Sequence, residues 1–328
     1  MIRQIYVIIF TLFLIFSTQT IYALESFFSD EEYVFSNYPE SVLLPGLVFE
    51  KRIEKSKLRV FYHHKNISDS HMNIMFLLSN HSEESAVVKI QKGLGGSSKD
   101  VVFAGHKALT SFFSDILSQG DLVRIPANST IPVIIHKIKS NQISSGIVRF
   151  EPFDTDKIEL KMKIVDLEYD NLSGFSDVPS LMSQFRVSYF DESYRQIKEV
   201  FDLSDHYQTF QIGGEPYLKD KVSHFELKGN YGLLYAVEVV LTNLEDEYQR
   251  VEFFLAPTKK NGVDRGTFLI DGELVEVGIL GYKENIVTME MFHEVLVAPQ
   301  ESKKIYLMTM PQAGCFYPVD IVMKSKEV

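Results

Sequence analysis

The sequence predicts an all-β protein, built as two Ig-like antiparallel β-sandwich domains in tandem with one short amphipathic helix in the first. Three observations lead there. Period-two alternation of apolar and polar residues recurs along the chain, one segment alone switches to helical spacing, and one strand-turn-strand unit occurs twice with identical offsets. Of the 328 residues, 45% are hydrophobic and 23% charged, a balance that excludes a disordered chain. The 33 Lys and Arg against 44 Asp and Glu leave a net charge of −11, which disfavours a nucleic-acid-binding surface.

Residues 1–23 have the layout of a signal peptide. Arg3 precedes a lipophilic stretch from Ile5 to Phe16 broken only by Thr11, and Ser17-Thr18-Gln19-Thr20 follows before Ala23. A helix of that stretch spans about 18 Å, short of the roughly 30 Å hydrocarbon core, so cleavage after Ala23 is expected over retention as an anchor. Cleavage removes Arg3 and leaves 32 basic against 44 acidic residues, a net charge of −12. No later apolar stretch reaches the length of a transmembrane span, so the expected product is secreted, periplasmic or held at the cell surface. A single cysteine, Cys315, excludes an intramolecular disulfide and reads as a partly buried loop residue.

The mature chain divides into an N-terminal extension (24–45), a first sandwich (46–169), a polar linker (170–183) holding Gly174 and Pro179, and a second sandwich (184–328). Alternation is clearest from Lys157 to Ile164, where Ile158, Leu160, Met162 and Ile164 share one face and Glu159, Lys161 and Lys163 the other. One dry and one wet face is the mark of an antiparallel sheet with a solvated side. Similar runs are Lys57–Tyr62, Met72–Leu78, Ile131–Ile138, Leu233–Leu241, Gln249–Leu255 and Lys303–Met310. Asp271-Gly272 between Phe268-Leu269-Ile270 and Glu273-Leu274-Val275 reads as a type I′ hairpin turn. From Lys107 to Ser118 the pairs Ala108/Leu109, Phe112/Phe113 and Ile116/Leu117 recur every four residues, a helix capped by Gly120 that packs on an end or flank of the sandwich. Lys107 and Asp115 on its polar face form no basic cluster, against a membrane-surface role.

Leu78-Ser79-Asn80, Glu84 and Val88-Lys89-Ile90 return 163 residues later as Leu241-Thr242-Asn243, Glu247 and Val251-Glu252-Phe253. Each Asn is expected to bend the chain through a side-chain-to-backbone hydrogen bond between two strands, the sign of a duplicated sandwich.

Several stretches together resemble an uncharacterised family of exported, cyanobacterial-type β-rich proteins known only as a domain of unknown function. They are Phe61-Tyr62-His63-His64, Leu77 to Ile90, Ala104-Gly105-His106-Lys107-Ala108, and Gly229-Asn230-Tyr231-Gly232 with Tyr235. The resemblance implies export and a β-rich fold, and it carries no catalytic residues.

The candidate chemistry is sparse. His63, His64, His71 and His81 form the densest histidine group, but neighbours in a strand point to opposite faces, so no metal site is expected from His63, His64 and His71. His293-Glu294 lacks the second His of a zincin. Asp154, Asp156, Asp166, Glu168 and Asp170 offer oxygen ligands for calcium yet lack EF-hand spacing, and read as a solvated acidic face. Gly93-Leu94-Gly95-Gly96-Ser97-Ser98 reads as a flexible loop between strands, since it has no P-loop lysine and no helix is expected to open on it. The Gly-x-Ser-x-Gly elbow of serine hydrolases is absent. Sixteen Tyr and 25 Phe without any Trp weaken a sugar-stacking face. Asn66, Asn80, Asn128 and Asn171 stand in glycosylation sequons that matter only in a eukaryotic secretory pathway.

The expectation is therefore an exported, non-enzymatic module with a structural or adhesive role at the cell envelope and an unknown envelope or extracellular partner. No catalytic residue, metal ligand or cofactor is assigned, and ligand-binding residues are unknown. A ligand-binding protein for glycan or peptide is the alternative, and an unrecognised hydrolase the third. N-terminal sequencing of exported material is expected to begin at Leu24, and an intact Met1 form in the membrane would indicate a retained anchor.

Overall fold

In the computed structural model, residues 30–328 are described apart from 39, 55, 154–156, 167–184, 259–261 and 284–285. The signal-peptide stretch 1–23, the linker 170–183, and Asp154, Asp156, Glu168, Asp170 and Asn171 lie outside the described residues.

The first half contains β1 (Glu31–Tyr38), β2 (Ser41–Val42), β3 (Gly46–Arg52), β4 (Lys57–Asn66), β5 (Met72–Asn80), β6 (Ala86–Ser98), helix α1 (Val101–Ile116), β7 (Asp121–Ile125), β8 (Ser129–Ile138), β9 (Ile143–Phe153) and β10 (Ile158–Asp166). It continues through β11 (Arg186–Phe190), β12 (Tyr194–Asp202), β13 (Tyr207–Ile212), β14 (Leu218–Lys219), β15 (Glu226–Leu227), β16 (Leu234–Thr242) and β17 (Gln249–Pro257). The chain closes with β18 (Val263–Asp264), β19 (Thr267–Ile270), β20 (Glu273–Glu276), β21 (Leu280–Lys283), β22 (Ile286–Val287), β23 (Glu290–Val297), β24 (Ser302–Thr309) and β25 (Val319–Glu327).

Two sandwiches follow in tandem. The first packs sheet β11-β1-β4-β9-β6-β7 on sheet β3-β10-β5-β8, and the second packs β12-β16-β24-β19-β20 on β13-β25-β17-β23. Most pairs are antiparallel; β1 on β4, β2 on β4 and β12 on β16 run parallel. The core of the first sandwich joins inward side chains of both sheets, among them Val60, Phe76, Leu78, Phe150, Leu160 and Met162. The hairpin at Asp271-Gly272 forms as expected, with φ of 48° and 89°.

The repeated Asn unit makes matching hydrogen bonds in both halves. Asn80 Nδ2 donates to the carbonyls of Glu84 (2.7 Å), Ile125 (3.2 Å) and Pro126 (3.1 Å), while its Oδ1 accepts from Ser82 N at 3.0 Å. Asn243 Nδ2 donates to Glu247 (2.8 Å), Val297 (3.3 Å) and Ala298 (3.0 Å), while its Oδ1 accepts from Glu245 N at 3.0 Å. Each buried amide thus ties the end of one strand to the facing sheet. Asn66 does the same locally, donating to Ser70 O at 2.7 Å and accepting from Ser68 N at 2.9 Å. Asn66 and Asn80 are buried, so both sequons are built on structural side chains.

Four expectations are corrected. Arg186–Phe190, placed at the head of the second sandwich, extends the first sheet beside β1, because Val187 and Tyr189 pack on the first core. Glu31–Tyr38, placed in the extension, is also a strand of that sheet. The Gly93–Ser98 segment is not a loop: it lies inside β6, paired with β9 along most of its length. The next element is α1, which begins at Val101 with Asp100 as N-cap, its carboxylate accepting from Phe103 N at 3.0 Å. Nor is Gly120 the cap: the helix ends at Ile116 with Leu117 as C-cap, and its last carbonyls are met by Gln91 Nε2, which donates to Asp115 O (3.3 Å) and Ile116 O (3.4 Å).

The glycines of β6 allow the helix to lie on the sheet. A Cβ at Gly93 would stand 2.0 Å from Ala108 O, inside any permissible contact. Gly93→Ala is expected to lower stability by several kcal/mol, while Leu78→Ala and Leu241→Ala, both fully buried, are each expected to lower it by about 2–5 kcal/mol. Denaturant unfolding checks all three, and a near-neutral Leu variant would contradict the equivalence of the two core positions.

Candidate functional site

Strand β4 decides what the first sheet becomes. Leu58, Val60 and Tyr62 point into the first core, so Lys57, Arg59, Phe61 and His63 point the other way. That second face is not wet: Arg59 is fully buried and Lys57 nearly so. Register sets Arg149 of β9 opposite Arg59, Gln91 of β6 opposite Arg149, and Tyr33 of β1 opposite Arg59. Glu31 supplies the counter-charge. Its carboxylate accepts from Arg149 Nε at 2.8 Å and lies 3.4 Å from Arg59 Nη2. Arg149 Nη1 donates to Gln91 Oε1 at 2.7 Å and lies 3.6 Å from Glu151. Arg59 Nη2 also donates to the carbonyl of Ser193, across to the second sandwich.

Over this face lie α1 and the second sandwich. Phe61, Ile147, Leu109, Phe112 and Phe113 join Leu233, Leu255, Phe268 and Met310 in one apolar cluster that is continuous with the second core. Burial pushes the Tyr33 hydroxyl well above its usual pKa, and it donates to Tyr231 O at 2.5 Å. Gly105 of α1 meets the backbone of Ala313, where a Cβ would stand 1.9 Å from the carbonyl oxygen. His106 lies between Glu276 (Nε2 to Oε2, 2.5 Å) and Thr267 (Nδ1 to Oγ1, 3.2 Å). The quoted stretches around Phe61, Gly105 and Gly232 therefore meet at this interface, where Gly232 sits against Tyr33 and Phe61.

The candidate histidines part company. His63 lies on the covered second face and bonds Ser145 Oγ, whereas His64 faces the first core with its Nε2 2.9 Å from Ser36 Oγ. His71 Nδ1 accepts from Ser140 N at 3.2 Å, and exposed His81 stands 3.7 Å from Glu159. Among the described residues no three His, Cys, Asp or Glu gather as metal ligands. Burial lowers the His63 pKa to about 3, with His64 adding to the shift, and lowers that of His136, bonded to Tyr62 OH, to about 4. Cys315 is buried, accepts from Gln312 Nε2 at 3.1 Å, and is pushed up to about 12 by burial, so it is no nucleophile at neutral pH.

Open space lies beside the interface. A groove of about 710 Å³ runs between β3 and β11 and under the β14–β15 loop, walled by Phe35, Phe49, Phe185, Tyr189, Val222 and Phe225. The loop is held by Asp220, whose carboxylate accepts from Tyr189 N (2.8 Å) and Ser223 N (2.9 Å). Burial raises the Asp220 pKa, but these bonds outweigh it and hold the group ionised. Val222 is 76% exposed and Phe225 59%. Asn37 Oδ1, also on the wall, is buried with no hydrogen-bond partner among the described residues.

No family model matches the chain, and no curated protein matches it. Among solved structures it is similar to the pre-peptidase C-terminal domain of a collagenase from Bacillus anthracis (8% identity, 41% of this chain and 96% of that one, TM-score 0.19). It is also similar to the tandem CBM22-1-CBM22-2 domains of Paenibacillus barcinonensis Xyn10C (8%, 88% and 92%, TM-score 0.16). A third likeness is to the CUB1-EGF-CUB2 domains of rat MASP-1 (9%, 87% and 99%, TM-score 0.19). At these scores the likenesses carry no functional argument.

Sequence reasoning missed Glu31, Arg59, Gln91 and Arg149, because only strand register brings them together. Glu31→Gln is expected to destabilise by about 3–5 kcal/mol, since two buried guanidiniums lose their shared anion; an effect under 1 kcal/mol would contradict the network. The depressed histidines make stability pH-dependent. Their contribution is complete above the unfolded pKa near 6.5 and is lost as pH falls toward about 4 for His136 and 3 for His63. A His63→Gln/His136→Gln variant is expected to flatten the stability profile across that window.

Proposed function

We propose that the chain is an exported, non-enzymatic β-sandwich protein with a structural or adhesive role at the cell envelope, and a member of the uncharacterised exported family it resembles. The observation that carries this is the apolar cluster running from the first sheet through α1 into the second core, which joins the two sandwiches through a buried interface. Its histidines and cysteine support the same conclusion, since His63, His64, His136 and Cys315 are buried in internal hydrogen bonds.

A second reading, binding of a peptide or glycan, is favoured by the groove. Aromatic walls with Asn37 Oδ1 as a buried acceptor that has no partner among the described residues suit an apolar ligand that brings an N–H or O–H donor.

Purified chain 24–328 is expected to bind isolated envelope material saturably, with a Val222→Ser/Phe225→Ala variant weakened at least tenfold if the groove makes the contact. Peptide and glycan arrays separate the two ligand classes. Absence of saturable binding, or substrate turnover lost in the groove variant, would overturn the proposal.

A further inference from the structure

Among the described residues each of the four sandwich sheets ends in two edge strands, and seven of the eight carry a device against strand addition. Charged residues occur in β3 (Glu50, Lys51, Arg52), β7 (Asp121, Arg124), β11 (Arg186), β12 (Arg195, Lys198, Glu199), β20 (Glu273, Glu276) and β23 (Glu290, Glu294), and β8 has Pro132 with Lys137. The eighth, β13, reads Tyr207-Gln208-Thr209-Phe210-Gln211-Ile212, with no charge, proline or bulge. Tyr207, Thr209 and Gln211 are exposed, and among the described residues β13 pairs with β25 alone.

The duplication shows what such an edge accepts. Ile90 and Phe253 are a matched pair of the repeat; Ile90 faces Phe150, which faces Leu58, and Phe253 faces Met323, which faces Gln208. Leu58, Val60 and Tyr62 of β4 therefore correspond to Gln208, Phe210 and Ile212 of β13. In the first sandwich this edge is covered by β1, which runs parallel to β4 and sets Glu32, Val34 and Ser36 opposite those three residues. The second sandwich has no counterpart of β1 among its described strands.

We propose that β13 is a strand-addition site, filled by an extended segment of another polypeptide lying parallel to it as β1 lies on β4. The segment recognised is one with small or β-branched apolar residues on its inward side, as Val34 is in β1, and little charge. Backbone groups of β13 supply the hydrogen bonds, and Phe210 and Ile212 at the margin of the second core supply the apolar contact. This site is separate from the groove and does not depend on it.

The test uses chain 24–328 and a labelled octapeptide based on Glu31–Tyr38 in which Glu31→Thr, Glu32→Val and Ser36→Val remove the charge and leave three β-branched residues on the inward side. Saturable binding is expected, with slowed amide exchange in β13, and with affinity reduced at least tenfold by Thr209→Lys. Gln211→Lys serves where that variant fails to give the native unfolding transition. Four outcomes overturn the proposal: no saturable binding, protection falling on β4 instead of β13, equal binding by both Lys variants, or a dimer of the unliganded chain abolished by Thr209→Lys, which would assign the edge to a second copy.

Discussion

Cations buried on the second face of a β-sheet need a counter-charge, and in the first sheet of this chain one buried carboxylate stands against two guanidiniums. Glu31 lies between Arg59 and Arg149, on a face closed by α1 and the second sandwich. An uncompensated guanidinium there would be strongly destabilising. The N-terminal strand that brings Glu31 is therefore part of the fold, and so is its partner β11, which returns from beyond the linker to pair with it. Arg59 reaches on to the carbonyl of Ser193 and Tyr33 to that of Tyr231, so side chains of the same face also bond the chain that leads into the second sandwich.

Close approach is the second requirement. Helix α1 lies against β6 on one side and against Ala313 on the other, and at both contacts a glycine stands where a Cβ would collide with backbone. The helix thus works as a packed layer between two sandwiches, not as a cover over one open end. Its apolar stripe joins the first sheet to the second core, and His106 faces Thr267 and Glu276 of the second sandwich.

Much of the architecture was legible in the sequence. The strands with clean alternation, the Asp271-Gly272 turn and the repeated Asn unit each form where local chemistry places them, since they depend on nearby residues. What was not legible is long-range. Arg59 in an alternating run looks like part of a solvated face, and only the register of β4 with β9 and the helix above reveals that it is buried. The glycine run in β6 looks like a loop for the same reason: glycine marks loops by default, and its use for helix contact needs the partner in view. Glu31 and Arg186–Phe190 were assigned to the wrong units because a strand's sheet is not written in its own sequence. The groove escaped notice because its walls come from β1, β3, β11 and the β14–β15 loop, distant in the chain.

The apolar cluster that joins the outer face of the first sheet and α1 to the second core, distinct from the core inside the first sandwich, makes the two sandwiches a single cooperative unit. Differential scanning calorimetry of chain 24–328 tests it most directly. One transition is predicted, with equal calorimetric and van't Hoff enthalpies. Two separable transitions, each matching the size of one sandwich, would contradict it.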